Sequence, residues 1–284
     1  MNLSKELLNV NMILVNNTEK IRKLIRSKRF FMLDGDGTLY LWDKSLKSSG
    51  DFIKKIKSLG KQFVILSNND SESKKKRLDF LRRILKVDLS DDNLLLPNDL
   101  VIDTFKRRKI RAFDGLISDE FVRELIKNGF KRDTKNPDII LIGFDTDITY
   151  DKIKRIVEHI NSGKKFILTH IDPLCPYKDG MEIPDAGLIA ELIETATKKE
   201  PEETLGKPFR SVVHYILDKV GASKQESLII GDRINTDIKM ANENGVDSIW
   251  IRGSVDKPIK SRYKPTLSVE SVDEIYKAIK VIVK

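Results

Sequence analysis

The 284-residue sequence contains one cysteine, Cys175. An internal disulfide framework is therefore excluded, and a cysteine-built metal site is disfavoured. A reducing, intracellular setting fits that scarcity. Long apolar runs are missing too. A membrane helix needs about 18 consecutive apolar residues, and the longest runs here are short, such as Ile139 to Gly143. Lys5 and Glu6 sit in the first turn of the chain, where a secretory signal would carry its apolar region. Cytoplasmic localisation without membrane attachment is the resulting expectation. The sequence also has no internal repeat at a solenoid period and no low-complexity segment.

What is present fits a folded, water-exposed protein. Hydrophobic residues make up 40% and charged residues 33%, too apolar a mixture for a disordered chain. At roughly 150 residues per domain, the length suggests about two domains. Lys and Arg number 52 against 43 Asp and Glu, a formal charge of +9. Such an excess suits nucleic acid, a membrane surface or an anionic small substrate. The basic clusters Lys74 to Arg77, Arg82-Arg83 and Lys106 to Lys109 carry no interleaved aromatics. They read as solvated helix faces, and nucleic acid is not an expected partner.

Short apolar runs alternate with amphipathic stretches along the chain. Phe30 to Leu33, Phe63 to Leu66, Ile139 to Ile142, Phe166 to Leu168, Leu228 to Ile230 and Ser248 to Ile251 read as buried strands. Helical patterns cover Asp51 to Leu59, Ser71 to Leu85, Ser118 to Asn128, Tyr150 to Ser162, Leu188 to Thr197, Pro208 to Val220, Ile234 to Asn244 and Val272 to Val283. The first 28 or so residues read as a polar helical lead-in. Such alternation predicts an α/β fold with parallel sheets covered on both faces.

Four segments carry chemistry. In the first, the apolar strand Phe30 to Leu33 runs into Asp34-Gly35-Asp36-Gly37-Thr38. Residues i and i+2 of an extended chain face one side, so both carboxylates can point beyond the strand's C-terminal end, where open α/β sheets bind ligands. Two such groups can divide the roles of nucleophile and proton donor. A turn built from Asp and Gly is the plainer alternative. In the second, Phe63 to Leu66 runs into Ser67-Asn68-Asn69, a hydroxyl and two amides suited to a phosphoryl group or to a helix cap. In the third, Gly206-Lys207-Pro208 opens a helix with a fixed positive charge. In the fourth, Leu228 to Gly231 runs into Asp232, with Asp237 following, both hard oxygen donors of the kind Mg2+ prefers.

In this order the segments resemble the four motifs of the haloacid dehalogenase-like (HAD) superfamily. Pro137-Asp138 to Asp145, Thr169-His170 to Asp172 and Pro184-Asp185-Ala186-Gly187 are similar to its NagD-like and p-nitrophenyl-phosphatase-like subgroup. The resemblance runs from about Arg29 past Trp250. It implies a Rossmann-like core and a Mg2+-dependent phosphomonoester hydrolase acting through an aspartyl-phosphate. Asp34 is the implied nucleophile and Asp36 the acid and base. Asp34, Asp232 and the Asp36 carbonyl are the implied metal ligands, and Ser67 and Lys207 the implied phosphate ligands. Asp237 and Asn68 are supporting residues, Asp237 orienting Lys207 or a metal-bound water. Thr38 closes the turn. His170 and Asp172 are substrate contacts from a cap, with a structural role for His170 left open. Two departures stand out. Gly35 replaces a larger apolar residue, which loosens the nucleophile loop on this reading, and Asp70 replaces a small hydroxyl residue.

Spacing constrains the architecture. Asp34 to Ser67 is 33 residues, one strand–helix unit with a small flap. Ser67 to Lys207 is 140 residues, far beyond one crossover. Subtracting two helices leaves about 90 residues that themselves alternate strand and helix. The expected division is a core of 1–108 and 202–284 with an inserted α/β cap of the C2 type at 109–201. The substrate is expected to be a small phosphate ester, and homodimerisation is open. Competing functions are a haloacid dehalogenase and a non-catalytic phosphate- or nucleic-acid-binding protein. The dehalogenase needs neither the second aspartate nor a metal carboxylate.

Overall fold

The computed structural model describes residues 17–177, 181–253 and 261–283. Most of the expected lead-in, and Lys178 to Gly180 of the segment after His170, lie outside the described residues. The chain divides into two compact units, Met1–Ile65 with Leu81–Asp88 and Ile216–Lys284, and Leu66–Phe80 with Leu89–Tyr215.

The first unit opens with helix α1 (17–27), which buries Ile21 and Ile25. Strand β1 (Phe30–Asp34) is buried at every residue. A flap hairpin, β2 (Tyr40–Leu41) and β3 (Lys44–Ser45), follows, then α2 (Ser49–Ser58) and β4 (Gln62–Leu66). Later in the chain come β13 (Ser227–Gly231), α9 (Lys239–Asn244), β14 (Asp247–Ile251), β15 (Leu267–Val269) and α10 (Val272–Ile279). Within this unit the strand order is β15-β14-β13-β1-β4. β1 pairs in parallel with β13, Leu33 opposite Ile230, and β13 pairs with β14, Gly231 opposite Trp250. Strands of continuous Phe, Ile, Leu and Met suit a parallel sheet, which presents no solvated face. α2 turns Phe52, Ile53 and Ile56 inward at helical spacing.

The second unit carries α4 (Pro97–Arg107), β6 (Ala112–Leu116), α5 (Asp119–Lys127), β7 (Lys131–Arg132) and β8 (Ile139–Ile142). These are followed by α6 (Tyr150–Asn161), β9 (Phe166–Leu168), the hairpin β10 (Leu174–Pro176) with β11 (Glu182–Pro184), α7 (Ala186–Thr197) and β12 (Glu203–Thr204). The short strand β5 (Leu94–Leu95) precedes them. Strands β12-β9-β8-β6-β7 form the sheet of this unit, parallel throughout and without β5. Helices α6 and α7 cover one face through Ile156, Ile160, Ile189 and Ile193, packed on Ile140, Ile142, Phe166 and Leu168. Gly115 allows the central strands to meet, since a Cβ there would lie 2.0 Å from the Leu141 carbonyl oxygen. Truncating Ile140, fully buried in that layer, is expected to cost about 2–5 kcal/mol as Ile140→Ala. Urea unfolding would show a lower midpoint at unchanged slope.

Helices α3 (Lys74–Leu85) and α8 (Arg210–Val220) carry the chain between the units. The α/β class with parallel sheets is as expected. Three local readings change. α3 begins at Lys74 rather than Ser71, because Asn69 and Ser71 form a turn in which the Asn69 Oδ1 accepts both the Ser71 N–H and its hydroxyl. α8 begins at Arg210, and Gly206 to Phe209 make a turn closed by the Phe209 N–H on the Gly206 carbonyl. The expected helix from Ile234 opens as a π-helical turn, Ile234–Ile238, before becoming α-helical.

Candidate active site

The first unit holds an acidic cluster where β1 and β13 end side by side. Their register brings Asp34 and Asp232 together, and the wide π turn brings Asp237 back to the same point. Oxygens of the three carboxylates lie within 4.8 Å of one another. All three residues are buried, Asp34 at 8%, Asp232 at 0% and Asp237 at 1% exposure. Like charges this close in a dry setting repel, and three hard oxygen donors fit a divalent cation.

The surroundings are built to keep that geometry. After Asp34 the chain folds into a tight turn, with the Gly35 carbonyl accepting the N–H groups of Leu39 at 2.8 Å and Tyr40 at 3.2 Å. Gly37 adopts φ +83°, and a Cβ there would stand 2.4 Å from the Asp232 Oδ2; both its backbone and its neighbour call for glycine. The Thr38 hydroxyl, fully buried, donates to Asp232 Oδ1 at 3.3 Å. Thr38 thus touches a carboxylate of the cluster as well as closing the turn. Trp250 Nε1 donates to the Asp232 carbonyl at 2.7 Å. Arg233 N–H donates to Asp237 Oδ2 at 3.2 Å. The space beside Gly35 is filled rather than loose: its Cβ would lie 2.7 Å from the Tyr40 hydroxyl, and Tyr40 is 1% exposed. Asp36 stands two residues on from Asp34 and bridges to Tyr40.

The second unit holds Ser67, Asn68 and Lys207. Ser67 Oγ accepts the Asn69 N–H at 3.2 Å. Asn68 clamps the lysine's backbone: its Oδ1 accepts the Lys207 N–H at 2.9 Å, and its Nδ2 donates to the Lys207 carbonyl at 3.1 Å. The same Nδ2 donates to Asp172 Oδ2 at 3.0 Å. Lys207 itself is buried. Asn68, expected as a supporting residue, thus meets both the Lys207 backbone and Asp172.

His170, 1% exposed, lies among carboxylates. Its Nε2 is 3.5 Å from Asp185 and 3.7 Å from Asp70, and its Nδ1 is 3.9 Å from Asp172. Burial alone would lower the imidazole's pKa, but Asp70, Asp185 and Asp172 outweigh it and raise it to about 9. Asp185 is pushed up to about 6 by burial, against the opposing pull of His170. Asp70 is fully buried and accepts the Phe144 N–H, while Asp185 caps α7 by accepting the Ala186 N–H at 2.6 Å. Sequence reading flagged Asp70 only as an unusual residue, and it gave Asp185 no separate role.

A family model for haloacid dehalogenase-like hydrolases matches residues 31–131, and a HAD-hydrolase-like model matches 204–275. The crystal structure of a 4-nitrophenylphosphatase from Thermotoga maritima is 32% identical, covers 90% of this chain and 99% of its own, and superposes with a TM-score of 0.84. NagD from E. coli K-12 shares the fold, with a TM-score of 0.78 at 22% identity over 86% of this chain and 97% of its own. Sugar-phosphatase AraL of Bacillus subtilis is 27% identical over 87% of this chain and 91% of its own. With motifs, fold and acidic cluster in agreement, the chain belongs to the haloacid dehalogenase-like hydrolases, among the NagD-like and 4-nitrophenylphosphatase-like enzymes.

Proposed function

We propose that the protein is a Mg2+-dependent phosphomonoester hydrolase acting on a small phosphorylated metabolite in the cytoplasm. The observation that carries this reading is the buried set Asp34, Asp232 and Asp237 at the ends of β1 and β13. Asp34 attacks phosphorus, and the bond to the leaving oxygen breaks as an aspartyl-phosphate forms. Asp36 gives the leaving oxygen its proton, then takes one from the water that cleaves the intermediate. Ser67 and Lys207 bind phosphoryl oxygens, the lysine fixed in place by Asn68. Asp34, Asp232 and the Asp36 carbonyl would hold the cation. When bound, it offsets the repulsion between the Asp34 carboxylate and the anionic ester. In the same proposal, residues 109–201 form a cap that selects the leaving group, and 1–108 with 202–284 form the catalytic core. The relatives' names point to sugar phosphates and 4-nitrophenyl phosphate as first substrates to try.

Phosphate release from a panel of 4-nitrophenyl phosphate, sugar phosphates and nucleotides, with Mg2+, is the test. Turnover of at least one phosphomonoester is expected. Silence across the panel, with dehalogenation of a 2-haloacid instead, would replace this reading by its competitor.

A further inference from the structure

The mechanism leaves unused a largely buried ionisable cluster: His170 with Asp70, Asp172 and Asp185. It is assembled from three places in the second unit: the turn after Ser67, the loop after β9 and the start of α7. Each carboxylate has a second task. Asp70 holds the Phe144 N–H, Asp185 caps α7, and Asp172 accepts from the Asn68 amide. That amide grips Lys207 by its N–H and carbonyl. His170 also sits beneath the residue before the lysine, for a Cβ on Gly206 would lie 2.6 Å from the His170 Cβ and 2.8 Å from Asn68 Oδ1. Glycine at 206 thus lets the lysine loop rest directly on the histidine and the asparagine.

We propose that His170 is a positioning residue: held as an imidazolium by Asp70, Asp172 and Asp185, it seats the Gly206–Lys207 backbone against Asn68 and so fixes the phosphate-binding lysine. The inference deepens the phosphatase reading and rests on it for the lysine's task. Charge explains why a histidine suits this place. Three carboxylates converging in a nearly dry pocket need a cation among them, and at 3.5–3.9 Å a single imidazolium attracts all three. The groups facing it are those three aspartates, with Lys207 following Gly206. Because the imidazole's pKa is raised to about 9, its charge favours the folded state fully below the ordinary value of 6.5. That contribution is lost as pH rises through about 9.

The test is nuclear magnetic resonance on the full chain labelled with 15N at histidine and asparagine, with His170→Asn and Asp70→Asn as variants. The His170 signal, assigned by its absence from His170→Asn, is expected to remain that of an imidazolium beyond pH 8. In Asp70→Asn its midpoint should fall by about one pH unit or more. The Asn68 side-chain amide should exchange about tenfold faster in His170→Asn, since its partners loosen. Turnover of 4-nitrophenyl phosphate should lose kcat by about tenfold or more, with KM changed less, because a displaced lysine loop hurts the transition state first. A midpoint below pH 7 overturns the imidazolium clamp. Unchanged Asn68 exchange, or kcat and KM within about twofold of the parent in both variants, overturns the positioning role and leaves packing only. If the parent releases no phosphate, the phosphatase reading fails, and the histidine midpoint and Asn68 exchange still decide the clamp.

Discussion

Asp34→Asn is expected to abolish phosphate release, by about 10⁴-fold or more, while the protein stays folded. Asparagine keeps the shape and offers the same oxygen, but a neutral amide is a poor nucleophile and cannot form the aspartyl-phosphate. The surroundings make this variant safe for the fold. The turn after Asp34 is closed by main-chain bonds from Leu39 and Tyr40 to the Gly35 carbonyl, none of which uses the side chain. Removing one of three like charges packed within 4.8 Å also relieves repulsion, so thermal stability without metal should hold or rise. The decisive measurement pairs initial rates on the best substrate with a melting curve. Near-parental turnover in a folded Asp34→Asn protein would remove Asp34 from the nucleophile's role. Loss of activity together with loss of folding would leave the assignment to Asp34→Glu, which keeps the charge and displaces it.

Much of this arrangement was legible because strand ends are where sequence and geometry meet most directly. Apolar runs ending in Asp34, Ser67 and Asp232 had to be buried parallel strands, and the residue after such a strand has few places to point. Two-residue strands were illegible: Lys131–Arg132 and Glu203–Thr204 sit at sheet edges, where half the backbone is unpaired and polar side chains suffice. Helix starts moved for a related reason. Asn69, Ser71 and the Gly206 carbonyl take up nearby backbone N–H groups in turns, a local competition that periodicity does not register. The His170 cluster was hidden more deeply. Asp70, His170, Asp172 and Asp185 lie up to 115 positions apart in the chain, and nothing in their spacing announces that they converge. The one surface sign was Asp70, an acid where a small hydroxyl was expected. Its side chain is committed to Phe144 and His170. Gly35 teaches the reverse: a missing side chain suggested looseness, and the Tyr40 ring occupies the space.

Stripping divalent cations should silence the enzyme and also lower its melting temperature, and the second effect is the more telling. Thr38 holds the Asp232 carboxylate, Trp250 holds the Asp232 carbonyl, and the Arg233 amide holds the Asp237 carboxylate. The fold brings these two carboxylates and that of Asp34 within 4.8 Å of one another, where their charges repel, so a bound cation is worth more to the folded chain than to the unfolded one. At a Mg2+ concentration one hundred times the dissociation constant, linkage adds about 2.7 kcal/mol, enough to raise the melting temperature by several degrees. EDTA should therefore bring activity to background and shift the melting curve down, and Mg2+ should restore both. Asp232→Asn supplies the control. Its amide oxygen can still accept the Thr38 hydroxyl, so the turn keeps its bond, while the cluster loses a charge. In that variant the melting temperature should respond to Mg2+ much less than in the parent, and activity should stay near background at any Mg2+ concentration. Full turnover in metal-free buffer, with a melting curve indifferent to Mg2+, would mean that the acidic cluster serves the reaction without a metal, with Asp232 and Asp237 acting through hydrogen bonds alone.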